Sequence, residues 1–185
     1  MGGDRVVIGI TGGSGSVLAV RLLERLNGVE KHLVMSENAK IVLKEEVGIE
    51  AAELEAQADQ NYLDSDLSAR ISSGSFIFSA MVVIPCSMST LAKISAGISD
   101  TLITRCAAVA LKERRKLILV PREMPLSTIA LENMHRLSLN GVIIAPAMPG
   151  YYTRPKTADD MVNFVVSRVM DLMGVENNLI KRWKQ

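Results

Sequence analysis

Apolar residues in this chain follow two different periods in alternation. Short β-branched runs lie at 5–10, 31–35, 80–84, 116–120 and 142–145, and the stretches between them carry apolar residues every three or four positions. After the first run, Leu18, Leu22 and Leu26 fall four apart on one helical face, and Gly28 is placed to end that helix near position 27. Ser36 is a natural N-cap for a helix over 37–46. A more polar connector spans 48–75; its Ala-Glu repeat at 50–58 reads as helical, whereas 59–75, with Ser72-Ser73-Gly74-Ser75, reads as loop. The run at 80–84 is apolar on both faces, as a central parallel strand is. Helical patterns follow at 88–96, at 101–114 with Asp100 as cap, and at 126–140 with Gly141 as stop. A last amphipathic helix at 157–173 leads into a basic tail, Lys181-Arg182-Trp183-Lys184. No internal repeat and no linker interrupts the pattern.

Five strands alternating with helices predict an α/β fold: a doubly wound, mainly parallel sheet of Rossmann or flavodoxin-like type with helices on both faces. The length fits one domain over 1–185, with a C-terminal helix and basic tail from about 157. Aromatic residues are only 4% of the chain, so the core must be built from aliphatic side chains and the ten Met. A net charge of +1 without a basic block argues against nucleic acid as a partner. No apolar run reaches the ~18–20 residues of a membrane span. Met1-Gly2-Gly3-Asp4 leads directly into a strand, with no apolar signal segment. Cys86 and Cys106 sit in no metal or redox spacing and are expected to be reduced core thiols of a cytoplasmic protein. His32 and His135 are too isolated to form a metal site. A mean hydropathy of +0.22 points to surface buried between subunits.

Ligands of such sheets bind beyond the carboxyl ends of the strands, and every run here ends in polar or conformationally special residues. The first is Thr11-Gly12-Gly13-Ser14-Gly15-Ser16, a glycine turn ahead of a helix, where backbone amides can meet a phosphate. It is too compact for the six-residue GxGxxG fingerprint and lacks the Lys of GxxxxGK[ST], so a mononucleotide phosphate fits better than a dinucleotide or triphosphate. The same turn is equally read as a tight connection with Ser14 or Ser16 merely capping the helix. Ser87, Ser89 and Thr90 offer hydroxyls at a second such turn, for an anion or for capping. Arg122-Glu123 follows an apolar strand, where Arg suits a phosphate or a flavin ring, although an exposed Arg-Glu pair is also ordinary surface. Tyr151-Tyr152 can cover a flat ligand or form a subunit contact. Arg168 and Glu46, taken alone, are helix-surface charges.

Taken together these segments resemble the flavin prenyltransferases of the UbiX type, within the wider flavoproteins that include the peptidyl-cysteine decarboxylases. The resemblance runs from the first strand to about residue 175. It is carried by Gly12-Gly13-Ser14-Gly15, by Val83-Ile84-Pro85-Cys86-Ser87-Met88-Ser89-Thr90-Leu91 and by Asp100-Thr101-Leu102-Ile103-Thr104-Arg105. Leu111-Lys112-Glu113-Arg114-Arg115, Pro121-Arg122-Glu123-Met124-Pro125-Leu126 and the stretch from Pro146 through Gly150-Tyr151-Tyr152 to Pro155 complete it. The chain departs from the pattern at Gly13, where Ala is usual, at Ser89, where Lys is frequent, and at Met124, where Thr is usual.

The resemblance implies FMN, in its reduced form, as co-substrate on Gly12, Gly13, Ser14, Ser36, Ser87, Met88, Ser89, Thr90 and Arg122. It implies dimethylallyl monophosphate as second substrate, its phosphate held by Tyr152, Arg168 and Lys112, the last from a neighbouring subunit. Catalytic roles fall to Ser14, Glu46 and Glu123. No metal is implied, and the chain has no DDxxD motif of the kind that holds Mg²⁺ on a pyrophosphate. A homo-oligomer larger than a dimer, with sites near subunit interfaces, and delivery of prenylated FMN to a partner decarboxylase complete the expectation. The rival readings are an FMN-dependent decarboxylase of an aromatic acid or a peptidyl cysteine, and a non-catalytic FMN carrier. Neither His stands at an early turn and Ser87-Met88-Ser89-Thr90 replaces an Asn-bearing segment, which disfavours the peptidyl-cysteine reading. A carrier would need none of Glu46, Glu123, Tyr152 and Arg168.

Overall fold

A computed structural model describes residues 4–184; Met1-Gly2-Gly3, part of the expected lead-in to the first strand, and Gln185 lie outside the described residues. Among the described residues six strands alternate with seven helices. The strands are β1 (Arg5–Ile10), β2 (Glu30–Met35), β3 (Gln60–Leu63), β4 (Ala80–Cys86), β5 (Lys116–Pro121) and β6 (Ile143–Ile144). The helices are α1 (Ser16–Arg25), α2 (Glu37–Val47), α3 (Ala51–Glu55), α4 (Met88–Ser95), α5 (Leu102–Lys112), α6 (Thr128–Leu139) and α7 (Ala158–Met173). The strands form one all-parallel sheet in the order β3-β2-β1-β4-β5-β6, with the reversal of winding between β1 and β4. The expected doubly wound sheet is present.

Alternation along the strands divides the core between the two faces. Val6, Ile8 and Ile10 of β1 pack with Leu18 and Leu22 of α1 and with Val166 and Met170 of α7. Val7 of β1 and Val83 of β4 point the other way, onto Ile103 and Cys106 of α5. Both faces are therefore dry, which is why the parallel strands read as continuous apolar runs.

Three expectations need correction. The stretch read as loop contains a sixth strand, β3, whose Gln60-Asn61-Tyr62-Leu63 pairs with 32–35 at the sheet edge. An edge strand exposed along one side needs no apolar run. Helix α1 ends at Arg25, before Gly28, because Leu26 turns into the extended region and is fully buried. Thr101, not Asp100, caps α5: its side chain accepts from the Thr104 amide while Asp100 is ion-paired to Lys93 at 2.7 Å.

His32 is not a surface residue. Its ring is fully buried in β2, with Nδ1 3.0 Å from the Tyr62 hydroxyl. The Tyr62 oxygen also accepts from Arg70 Nε at 3.0 Å, which leaves Nε2 as the ring nitrogen turned away from Tyr62. That nitrogen faces Glu30 Oε1 at 3.1 Å without the alignment of a hydrogen bond. Burial pushes the imidazole below its ordinary value of 6.5, against the pull of Glu30. A histidine depressed in the folded state binds more protons when unfolded, so it costs stability as pH falls through about 6.5 towards the folded value. Thermal unfolding should therefore move to lower temperature between about pH 8 and about pH 5.5, and His32→Asn should flatten that slope.

Candidate active site

Helix α1 leaves β1 on one face of the sheet and α4 leaves β4 on the other, so the carboxyl ends of these neighbouring strands open a crevice. Thr11 ties its floor. Its hydroxyl donates to the Pro85 carbonyl and accepts from the Ser87 amide, both at 2.8 Å, and the residue is buried. A polar residue directly after an apolar strand was the available signal for Thr11, which the sequence reading left without a role.

Three cavities adjoin along this rim. The first, of about 370 Å³, is rich in hydroxyls. Ser36, Ser87 and Thr101 line it as the N-caps of α2, α4 and α5, each accepting an amide hydrogen bond from three residues on. These three hydroxyls cap their helices, and three helix N-termini present partial positive charge to one space. Ser89 and Thr90 join them there. Thr104 also lines it, as do Asn38, Asp64 and Lys93, which were not singled out from sequence because they come from three separate segments. Asp64 Oδ1 accepts from the Ile103 amide at 2.9 Å, so this carboxylate sits on the N-terminus of α5.

The second cavity, of about 480 Å³, brings Gly13, Ser14, Glu46, Met88, Arg122 and Glu123 together with Gly12 and Ser87. Gly12 and Ser87 also border the first cavity, so the two adjoin across that ridge. Here the glycine turn differs from expectation. Gly15, at φ 110°, is the N-cap of α1, and the amides of Gly15 and Ser16 both donate to Glu46 Oε2 at 2.9 Å. The first-turn amides expected to face an anion are taken by an internal carboxylate. Burial pushes the Glu46 carboxyl up, but hydrogen bonds from Ser14, Gly15 and Ser16 outweigh it and hold the group below the ordinary carboxylate value. Arg122 reaches across the crevice, its Nε 3.4 Å from the Ser14 carbonyl.

The third cavity, of about 290 Å³, shares Arg122 and Glu123 with the second and is otherwise apolar, walled by Met124, Leu126, Met134 and Met148. Glu123 Oε1 accepts from the Met124 amide at 3.2 Å.

Three of the expected residues stay off these cavities in their own chain. Lys112 closes α5, eleven residues and so about 16 Å from the end that meets the first cavity. Its Nζ is ion-paired to Glu113 at 2.6 Å. Tyr152 stacks edge-on against Phe164 and Trp183, with ring centroids 5.6 and 5.2 Å away. Arg168, on α7, pairs with Asp171 at 2.8 Å.

Cys86 and Cys106 are buried, and burial pushes both thiols up to about 12. Neither is a nucleophile at neutral pH. Among the described residues no group of three or more His, Cys, Asp or Glu is placed to hold a metal ion, and no helix is long and apolar enough to cross a membrane.

The glycine turn also yields a test of the ridge. A Cβ on Gly12 would lie 2.7 Å from Asn38 Cβ, whereas one on Gly13 meets Ser87 N at 3.4 Å, an ordinary contact. Gly12→Ala is expected to cost about 1–3 kcal/mol by overpacking, and Gly13→Ala to be neutral or to stabilise by about 0.4–1 kcal/mol. Denaturant unfolding of the two variants checks the contrast.

Comparison with known proteins matches the same segments. A family model described as Flavoprotein covers residues 1–170. A flavin prenyltransferase UbiX from Thermoplasma acidophilum is 62% identical over 179 residues, 97% of this chain and 99% of the relative. The crystal structure of AnUbiX in complex with FMN and dimethylallyl pyrophosphate superposes with a TM-score of 0.96 at 40% identity, covering 98% of both chains. A dodecameric FMN-dependent UbiX-like decarboxylase from Escherichia coli O157:H7 gives 0.95 at 49% identity, over 98% of this chain and 100% of that one. The chain therefore belongs to the flavin prenyltransferase family of flavoproteins.

Proposed function

We propose that the chain transfers a dimethylallyl group from dimethylallyl monophosphate to N5 and C6 of reduced FMN. The single observation carrying this reading is the adjacency of three cavities: a hydroxyl-rich space, a glycine-walled space and an apolar space, which share the walls Gly12/Ser87 and Arg122/Glu123. A flavin mononucleotide has the matching sequence of parts, and the third space suits a five-carbon apolar group. Gly12 forms the ridge between the first two cavities, where any side chain would meet Asn38.

When bound, reduced flavin supplies electron-rich N5 and C6, and an allylic phosphate supplies the electrophile. The chain's own part is positioning and electrostatics. Arg122 supplies positive charge at the ridge between the second and third cavities. Glu123, at the same ridge, is the group to hold or move a proton at its carboxylate oxygens. Glu46 holds the glycine turn through Oε2 and lines the second cavity together with Ser14. The methionine wall of the third cavity keeps water from a cationic allyl group. The second substrate's phosphate would be held by Tyr152 and Arg168, with Lys112 from a neighbouring copy, and the dodecameric relative supports a homo-oligomer larger than a dimer. The product would pass to a decarboxylase that uses prenylated FMN.

Anaerobic incubation with reduced FMN and dimethylallyl monophosphate should yield a flavin heavier by one C5 unit, read by mass. Turnover should persist in excess EDTA. Loss of turnover with chelator, restored by metal, would overturn the phosphate-site reading. Carbon dioxide released from an aromatic acid by the chain and FMN alone would favour the decarboxylase instead.

A further inference from the structure

Lys93 is, among the described residues, the one lysine or arginine that lines the hydroxyl-rich cavity. It stands one helical turn after Ser89 on α4, and side chains four apart share a helix face. Its Nζ donates to Asp100 Oδ2 at 2.7 Å, and Asp100 lies just before the N-cap of α5. Asp100 is otherwise weakly engaged: Oδ1 takes a long 3.5 Å contact from Thr104 Oγ1. The two side chains are 36% and 50% exposed, so water screens the pair and little is lost when the ammonium leaves it. The other carboxylate at this cavity, Asp64, is already held by the Ile103 amide. A phosphate monoester entering among Ser87, Ser89 and Thr90 would offer Lys93 a doubly charged partner flanked by helix N-termini, where a charge-assisted hydrogen bond is strong.

We propose that Lys93 is the mobile cation of this cavity, held by Asp100 until the phosphate end of the mononucleotide enters and then transferring to it. Asp100 is accordingly the competing partner that the ammonium leaves when the phosphate binds. This rests on the reading of the first cavity as the phosphate end of the FMN site.

The test is titration of the full chain with FMN and, separately, with riboflavin, which lacks the phosphate. Lys93→Met retains the apolar stem and removes the charge. It should weaken FMN about 10- to 100-fold and leave riboflavin affinity unchanged. Asp100→Asn frees the ammonium from its carboxylate and should tighten FMN about 2- to 5-fold. Equal loss of both flavins in Lys93→Met would make Lys93 a packing residue and overturn the proposal, as would unchanged FMN affinity alongside a retained preference over riboflavin. Weaker FMN binding in Asp100→Asn would overturn the holding role. If the parent chain itself binds FMN no tighter than riboflavin, the phosphate reading of the cavity falls, and Lys93 with it.

Discussion

Glu123→Gln is expected to lower the single-turnover prenylation rate by about 10²–10⁴-fold, the usual contribution of a positioned acid or base, while FMN affinity changes little. Glu123 borders both the glycine-walled and the apolar cavity, which places it where the two adjoin. A carboxylate next to Arg122 at a phosphate-binding rim would repel the ligand, which makes sense if it manages a proton or steadies allylic positive charge. The glutamine keeps the shape and can still accept from the Met124 amide, which is the one backbone bond Glu123 makes. Arg122→Ala separates binding from chemistry. It removes the guanidinium that reaches the Ser14 carbonyl and should cost FMN binding about 1.5–3 kcal/mol. Rapid-quench measurement of product alongside flavin titration distinguishes the two. A Glu123→Gln protein that turns over at the parent rate, or that fails by losing FMN, removes Glu123 from the chemistry.

What the sequence shows and hides here follows from where the determining partners lie. Strands β1, β4 and β5 are legible because burial on both faces demands apolar residues at every position. β3 is not: Gln60, Asn61 and Leu63 are exposed, and only pairing with β2 makes the segment a strand. The crevice was legible through the strand-end rule, since Ser36, Ser87 and Arg122 each follow a recognisable run. Asp64 and Lys93 were not, because the cavity joins the end of β3 to the middle of α4 and no local period records that. The choice of Thr101 over Asp100 as cap depends on Lys93 reaching Asp100 across a turn. Glu46 shows the limit most plainly. Its partners Gly15 and Ser16 lie 31 and 30 residues away, so nothing local distinguishes it from Glu45 beside it.

Glu46→Gln and Glu46→Ala are expected to fail in different ways. Both backbone amides at the start of α1 donate to one oxygen, Oε2, and an amide oxygen can replace that acceptor. Glutamine should therefore keep the cap, and alanine should lose it, at about 0.5–2 kcal/mol, the usual worth of an N-cap. The negative charge is a separate matter. Hydrogen bonds hold the carboxyl below its ordinary value despite burial, so it stays ionised across the neutral range and lends stability that is lost only as pH falls below the ordinary carboxylate range. An anion kept beside Ser14, in the cavity that also holds Glu123, would stabilise positive charge developing there or accept a proton from the Ser14 hydroxyl. Glu46→Gln should then unfold only slightly earlier than the parent, having lost the charge but kept the acceptor, yet lose about 10²-fold in single-turnover rate. Glu46→Ala should lose that much rate and also unfold earlier. If Glu46→Gln instead matches the parent in rate while Glu46→Ala is merely less stable, Glu46 is a helix cap alone, and the proton chemistry of the crevice belongs to Glu123.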